Sequence, residues 1–331
     1  MGLPTDIFLG CYTDENNLNG LKILSLNETT CEISLKAEYK VSNALYQAIS
    51  SDGKYLYSCT GEGIKSFRIN DDGIDEIDQI AIGNCVCHVA VMPDDKKVVW
   101  ADYLGGLAGS VDVNEGKFSS LKIYKHNGSG PNLPRQDKAH CHQAMPSCDQ
   151  ESYYVVDLGT DEIVKYPEGK RFKTSPAGAG PRHLLLHPDN RLAFLAFELG
   201  NLISSIEFKE DEFKILYTLP TLDETKETPI NLVAAIRFTP DMKSVVISNR
   251  GENSLVVYDF DKESGKLTFK GRTLLSGNWP RDFIFVNDTI ALVACERSGE
   301  VIVLNYDSQK GTFSEISKIN NLFRPVAVVR K

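Results

Sequence analysis

The chain has 331 residues, 42% of them hydrophobic, with 36 Lys and Arg against 45 Asp and Glu for a net charge of −9. That is ample apolar material for a packed core, and the acidic balance excludes nucleic acid and anionic membranes as partners, so an anionic ligand needs its own local arginine cluster. No charged-then-apolar leader opens the sequence and no apolar run approaches the roughly 18 residues of a membrane span, so a cytoplasmic protein is expected.

In chain order, the first apolar run, Ile7-Phe8-Leu9-Gly10-Cys11-Tyr12, reads as a second strand with no first strand before it. Six turns then recur about 40 to 55 residues apart, the spacing of a repeat architecture. They are Ser50-Ser51-Asp52-Gly53, Met92-Pro93-Asp94-Asp95, Ser147-Cys148-Asp149-Gln150, His187-Pro188-Asp189-Asn190, Thr239-Pro240-Asp241-Met242 and Val286-Asn287-Asp288. Pro, Asp, Asn and Gly supply hairpin chemistry at these turns. Short runs rich in Val, Ile, Tyr and Phe flank them, too short for helices. A second pair of runs follows in most units, clearest in residues 255–260 with 264–269 and 301–306 with 311–313.

Four strands per unit at this period is the signature of a propeller blade. The last run, Pro325-Val326-Ala327-Val328-Val329-Arg330, looks like a first strand with nothing after it. Joined to the N-terminal run it completes a seventh blade and removes the open sheet edges. The expectation is an all-β chain: a seven-bladed β-propeller of four-stranded antiparallel blades, closed by its terminal strands, in one domain over 1–331.

The eight cysteines, Cys11, Cys31, Cys59, Cys85, Cys87, Cys141, Cys148 and Cys295, contain no Cys-x-x-Cys pair. Several sit inside strand-like runs, where a free thiol packs as a small apolar group, and reduced cysteines are expected. Asp6 stands where N-myristoylation after Met1-Gly2 needs Ser or Thr.

In a blade the first strand lines the central channel and the second runs back beside it. The start of one and the end of the other share a face of the disc. The turn Asp serves as a ruler. Seven residues before it stand Leu45, Cys87 (or His88, counting from Asp95), His142, Arg182, Ala234 and Arg281. Nine after it stand Gly61, Tyr103, Leu158 (next to Asp157), Glu198, Arg250 and Arg297 (next to Glu296). His142, Arg182, Glu198 and Arg250 are therefore expected at one mouth of the channel, an anion site with an acid or base beside it. A one-residue slip would send a side chain to the other face. His140 and His142 stand two apart, but the sequence offers no third metal ligand. The segment from His126 to Lys138 is long for a blade connection and rich in Gly, Pro and charge, as binding loops often are.

Several motifs together resemble the bacterial lactonase family, over nearly the whole chain. They are Gly178-Ala179-Gly180-Pro181-Arg182-His183 with His187-Pro188, Glu198, Ser248-Asn249-Arg250-Gly251, Arg135-Gln136 with Lys138, His140 and His142-Gln143, Asp157-Leu158-Gly159, and Pro280-Arg281-Asp282-Phe283. That family contains propeller-type 6-phosphogluconolactonases and the fungal 3-carboxy-cis,cis-muconate lactonizing enzyme. The resemblance implies a propeller with no required metal or cofactor. The site proposed for the muconate enzyme, a His, two Arg and a Glu, falls on His142, Arg182, Glu198 and Arg250. Arg135, His140, Asp157 and Arg281 are expected to bind substrate. Ala235 stands where the family often has an acidic residue, and Phe197 where an Asn usually precedes the glutamate.

The expected activity is hydrolysis of a small anionic sugar lactone, 6-phosphogluconolactone first. His142 would activate water, Arg182 stabilise the oxyanion, Arg250 hold phosphate or carboxylate, and Glu198 orient Arg182 or protonate the ring oxygen. The alternatives are lactonisation of a muconate-type diacid and a non-enzymatic propeller scaffold. Against the scaffold, no Trp-Asp dipeptide occurs, since Trp100 precedes Ala101 and Trp279 precedes Pro280.

Overall fold

The computed structural model describes residues 4–331 except 84, 148, 150, 190, 210, 211, 224, 226, 227 and 229. Met1, Gly2, Cys148, Gln150 and Asn190, all named above, lie outside the described residues. The described strands form seven sheets of four, each antiparallel and, with one exception, made of consecutive strands. The exception is the sheet that closes the ring, in which Pro325–Arg330 pairs with Thr5–Cys11, followed by Leu21–Leu26 and Ile33–Tyr39. Numbering that sheet as blade 7, blades 1 to 6 begin with the strands Gln47–Ile49, Val86–Val91, Cys141–Pro146, Pro181–Leu186, Leu232–Phe238 and Pro280–Phe285. The terminal strands thus pair as the lone runs at the two ends of the sequence suggested.

Seven apolar clusters hold the ring, and each takes its residues chiefly from two neighbouring blades. Inner strands are therefore covered on both faces. Leu192–Phe197 and Ile290–Cys295 are buried at every position, which is why they read as unbroken apolar runs rather than alternating ones. Outermost strands such as Lys117–Lys125 are mostly exposed or half-buried. The seven described cysteines carry free thiols, four of them fully buried.

The turns are built by local hydrogen bonds. Asp94, Asp149, Asp189 and Asp241 each accept the backbone N–H two residues on, at 2.9–3.2 Å. In blade 6 the same bond goes to Asn287, from Thr289 N–H at 3.0 Å. That turn is one residue shorter. Val286 N–H reaches the carbonyl of Ile290, whereas in blades 1 to 5 the bond spans five residues, as from Thr239 to Ser244.

A second repeated device sits where the first strand begins. The pairing register slips across Val86/His88, Cys141/Gln143, Pro181/His183, Val233/Ile236 and Pro280/Asp282. Each slip is a β-bulge, and a bulge re-aims the side chain it carries. The bulged residues are Cys87, His142, Arg182, Ala234 with Ala235, and Arg281. Pairing in blade 7 likewise passes over Val326. The ruler had therefore picked out a bulge in blade after blade without any sign that one was there.

Candidate active site

At the bulged mouth lies a cavity of about 490 Å³, lined by His142, Glu198, Arg250, Arg135 and Arg281 together with Tyr12, Cys85, Cys87, Tyr103, Trp279, Glu296 and Arg324. Glu198 follows the second strand of blade 4, and its N–H bonds the carbonyl of Gly180 at 2.8 Å. That bond closes the bulge and pins the carboxylate beside Arg182. Oε2 of Glu198 accepts Nε of Arg182 at 3.0 Å and Nη2 of Arg250 at 2.7 Å. Oε1 accepts Nη2 of Arg135 at 2.5 Å. Nε2 of His142 stands 3.9 Å from Oε2. Three blades and the long loop thus converge on one carboxylate.

Electrostatics follow from burial and proximity. Burial pushes the Glu198 carboxyl up, but the charges of Arg250, Arg182 and Arg135 outweigh it and hold it well below the usual carboxylate range. Burial, then Arg182, pushes His142 well below the usual 6.5, so its imidazole is neutral. Burial, then Arg250, draws Arg182 down to about 9, still charged at neutral pH. Nδ1 of His142 is buried with no hydrogen-bond partner among the described residues. The His142 ring meets Tyr103 and His183 edge-on, at 5.6 and 5.4 Å between centroids.

Not every expected residue lines the cavity. Arg182 stands behind Glu198, fully buried, with Nη1 against the His183 ring. His140 lies just before the bulge, outside the alternation of the strand. Its ring stacks on Tyr103 at 4.4 Å and is bonded to the Tyr103 carbonyl and to Asp137. Asp157 is fully buried and ties a turn, accepting the N–H groups of His140, Gly159 and Thr160 on Oδ1 and Nδ1 of His126 on Oδ2. His140 and Asp157, expected to bind substrate, do not line the cavity, and their polar atoms are engaged by the framework. They do fasten both ends of the loop that carries Arg135.

Two choices of register are also decided. Cys87 lines this mouth, while His88 lines a separate cavity of about 340 Å³ with Tyr46, Arg237 and Asp282. Glu296 lines the mouth in place of Arg297, because the short blade-6 turn moves the exit back by one residue. Arg297 instead stacks on Trp279 at 3.4 Å. Tyr12, Trp279 and Arg324 were not foreseen as site residues. Arg324 and Tyr12 belong to the blade closed by the termini, which has no turn to count from.

His126, Cys141 and Asp157 bring metal-type donor atoms within 4.8 Å of one another. Both ring nitrogens of His126 are already engaged, by Asp157 at 2.8 Å and by the Tyr166 hydroxyl at 3.0 Å. Burial, then Asp157, holds the Cys141 thiol in its protonated form. This trio is a structural clasp.

The chain is 29% identical to the 6-phosphogluconolactonase of Bacillus subtilis (strain 168), with 97% of each chain covered. A crystal structure of a protein from Lactobacillus plantarum superposes with a TM-score of 0.90 at 27% identity, covering 99% of both chains. The periplasmic gluconolactonase PpgL of Pseudomonas aeruginosa has the same fold, with a TM-score of 0.90 at 22% identity over 99% of each chain. Residues 6–330 match the family described as lactonase, 7-bladed beta-propeller, and the chain belongs to that family.

Proposed function

We propose that this lactone hydrolase acts on 6-phosphogluconolactone and releases 6-phosphogluconate. One observation carries the reading. The cavity and the wall behind it gather five guanidiniums, Arg135, Arg182, Arg250, Arg281 and Arg324, against two carboxylates, Glu198 and Glu296, in a chain whose net charge is −9. Such a local excess of positive charge suits a substrate with a doubly charged phosphate. The name of the Bacillus subtilis relative supports the same substrate.

The reaction adds water across the ring ester. Neutral His142 accepts a proton from water as the oxygen attacks the lactone carbonyl. Arg250 lines the cavity, and no described bond engages its Nη1. It is placed to stabilise the tetrahedral oxyanion, a contribution of about 3–4 kcal/mol for one well-aimed donor. Collapse breaks the bond from carbonyl carbon to ring oxygen, and protonated His142 returns its proton to that oxygen. Arg182 and Arg135 fix Glu198, and Glu198 fixes Arg250. Carboxylate, proton and hydroxyl balance the water consumed.

A coupled assay that reduces a nicotinamide cofactor as 6-phosphogluconate forms, corrected for spontaneous hydrolysis, tests the reading. Enzyme-dependent acceleration supports it. Turnover of a muconolactone instead would replace it with the diacid reaction, and activity on neither, with capture of a protein partner, would favour the scaffold.

A further inference from the structure

We propose that Arg324 and Arg281, stacked on Tyr12, form the seat for the substrate phosphate; this rests on the reading of a phosphorylated lactone. The repeat shows why Arg324 faces the cavity. Two residues before the bulge in five blades, a carbonyl accepts the N–H of the residue that leaves the second strand. Cys85 accepts Tyr103, His140 accepts Leu158, Gly180 accepts Glu198, Trp279 accepts Glu296 and Arg324 accepts Tyr12, all at 2.8–3.1 Å. Arg324 is therefore the blade-7 counterpart of Gly180 and Trp279. These three share a left-handed backbone, with φ of 44° at Arg324, 61° at Gly180 and 69° at Trp279. Glycine adopts it freely, whereas an arginine or a tryptophan pays for it in strain, and such strain gathers at functional sites.

The other arginines that line the cavity carry more bonds. Arg250 is bonded to Glu198 and to the carbonyls of Leu232 and Val233. Arg135 is bonded to Glu198 and the Tyr103 hydroxyl. The side chains of Arg281 and Arg324 each donate one described hydrogen bond, and both go to Glu296, at 2.9 and 2.6 Å on opposite oxygens. Their guanidinium carbons lie 5.4 and 4.1 Å from the Tyr12 ring centroid. Each guanidinium keeps nitrogens with no described hydrogen bond, and two such groups held by one carboxylate can bind a tetrahedral oxyanion in bidentate fashion. Glu296 holds the pair in register and competes with the incoming phosphate. His142 and Glu198 line the same cavity, so the seat and the reacting end share one enclosure.

The test is Arg324→Gly in the full-length protein. Its φ of 44° suits glycine and its side chain is 49% exposed, so the fold is kept. Steady-state kinetics on 6-phosphogluconolactone and on glucono-δ-lactone give the ratio of the two kcat/KM values. That ratio should fall about tenfold or more, mainly through KM for the phosphorylated lactone, as expected for loss of a charge-assisted bond. The inhibition constant of inorganic phosphate should rise in parallel. Arg281→Gln should act in the same direction, while Glu296→Gln, which removes the competitor, should tighten phosphate inhibition. An unchanged ratio, with wild type still preferring the phosphorylated lactone, would overturn the seat alone. A wild-type enzyme that hydrolyses glucono-δ-lactone but neither favours the phosphorylated lactone nor responds to phosphate would overturn the substrate reading and the seat together.

Discussion

Arg182 and Arg250 meet on a single atom. Their guanidiniums lie 3.0 and 2.7 Å from Oε2 of Glu198, although 68 positions of sequence separate them. One comes from the bulged start of blade 4, the other from the second strand of blade 5. Without the shared carboxylate, two buried cations would face each other.

Glu198→Gln should therefore destabilise the protein. Breaking a buried pair while leaving its partners charged costs about 3–5 kcal/mol. Urea denaturation should show a lower midpoint with the slope unchanged. Added phosphate should restore part of the loss by binding the native state. A midpoint equal to wild type would mean the arginines are solvated and the site is wetter than its burial implies.

His142→Asn should lower kcat/KM by about 10²–10⁴, the usual range for a lost acid–base group. The protein should remain folded, since Nδ1 has no described partner to lose. Near-normal turnover by the folded variant would remove His142 from the mechanism.

The pH–rate profile follows from the depressed His142. A base that stays unprotonated below 6.5 keeps working at lower pH. With glucono-δ-lactone, which carries no phosphate to titrate, kcat/KM should stay level from about pH 8 to pH 6. An acid limb centred at the ordinary histidine value would show that His142 is solvated in the free enzyme.

Stability should fall earlier on acidification than carboxylates alone would allow. Burial, then nearby arginines, pushes His88 to about 3 and His142 and His183 well below 6.5. Unfolding restores the ordinary value. Below about pH 6.5 the unfolded chain then binds more protons than the folded one, so stability drops as pH falls, by about 1.4 kcal/mol per unit for each fully titrating histidine. Glu198, held low, adds its loss only below about 4.5, the ordinary glutamate value. Melting temperatures should decline between pH 6.5 and 5, and His88→Asn should flatten that decline. A level profile over that range would contradict the assignment of buried neutral rings.

Much of this was legible because the turn aspartates recur and the inner runs are apolar on both faces. The ruler counted from Asp189 reaches Arg182 and Glu198, and from Asp241 reaches Arg250, all at one carboxylate. It failed by one residue at Arg297, because a shortened turn in blade 6 has no compositional mark; Asn287 simply replaces the aspartate. It had nothing to say about Arg324 and Tyr12, since the break between the chain ends takes the place of their turn. His140 and Asp157 looked like site residues because polar groups beside a mouth look alike in sequence. Only coordinates show that their hydrogen bonds are spent on the turn and the loop.

The most direct measurement is a crystal structure of the protein soaked with the product, 6-phosphogluconate. The new carboxylate should lie within about 3.2 Å of His142 or Arg250, the reach of a hydrogen bond, and the phosphate against Arg281 and Arg324. Product bound in the separate cavity beside Arg237 and Asp282, or an empty arginine cavity at saturating product, would contradict this placement.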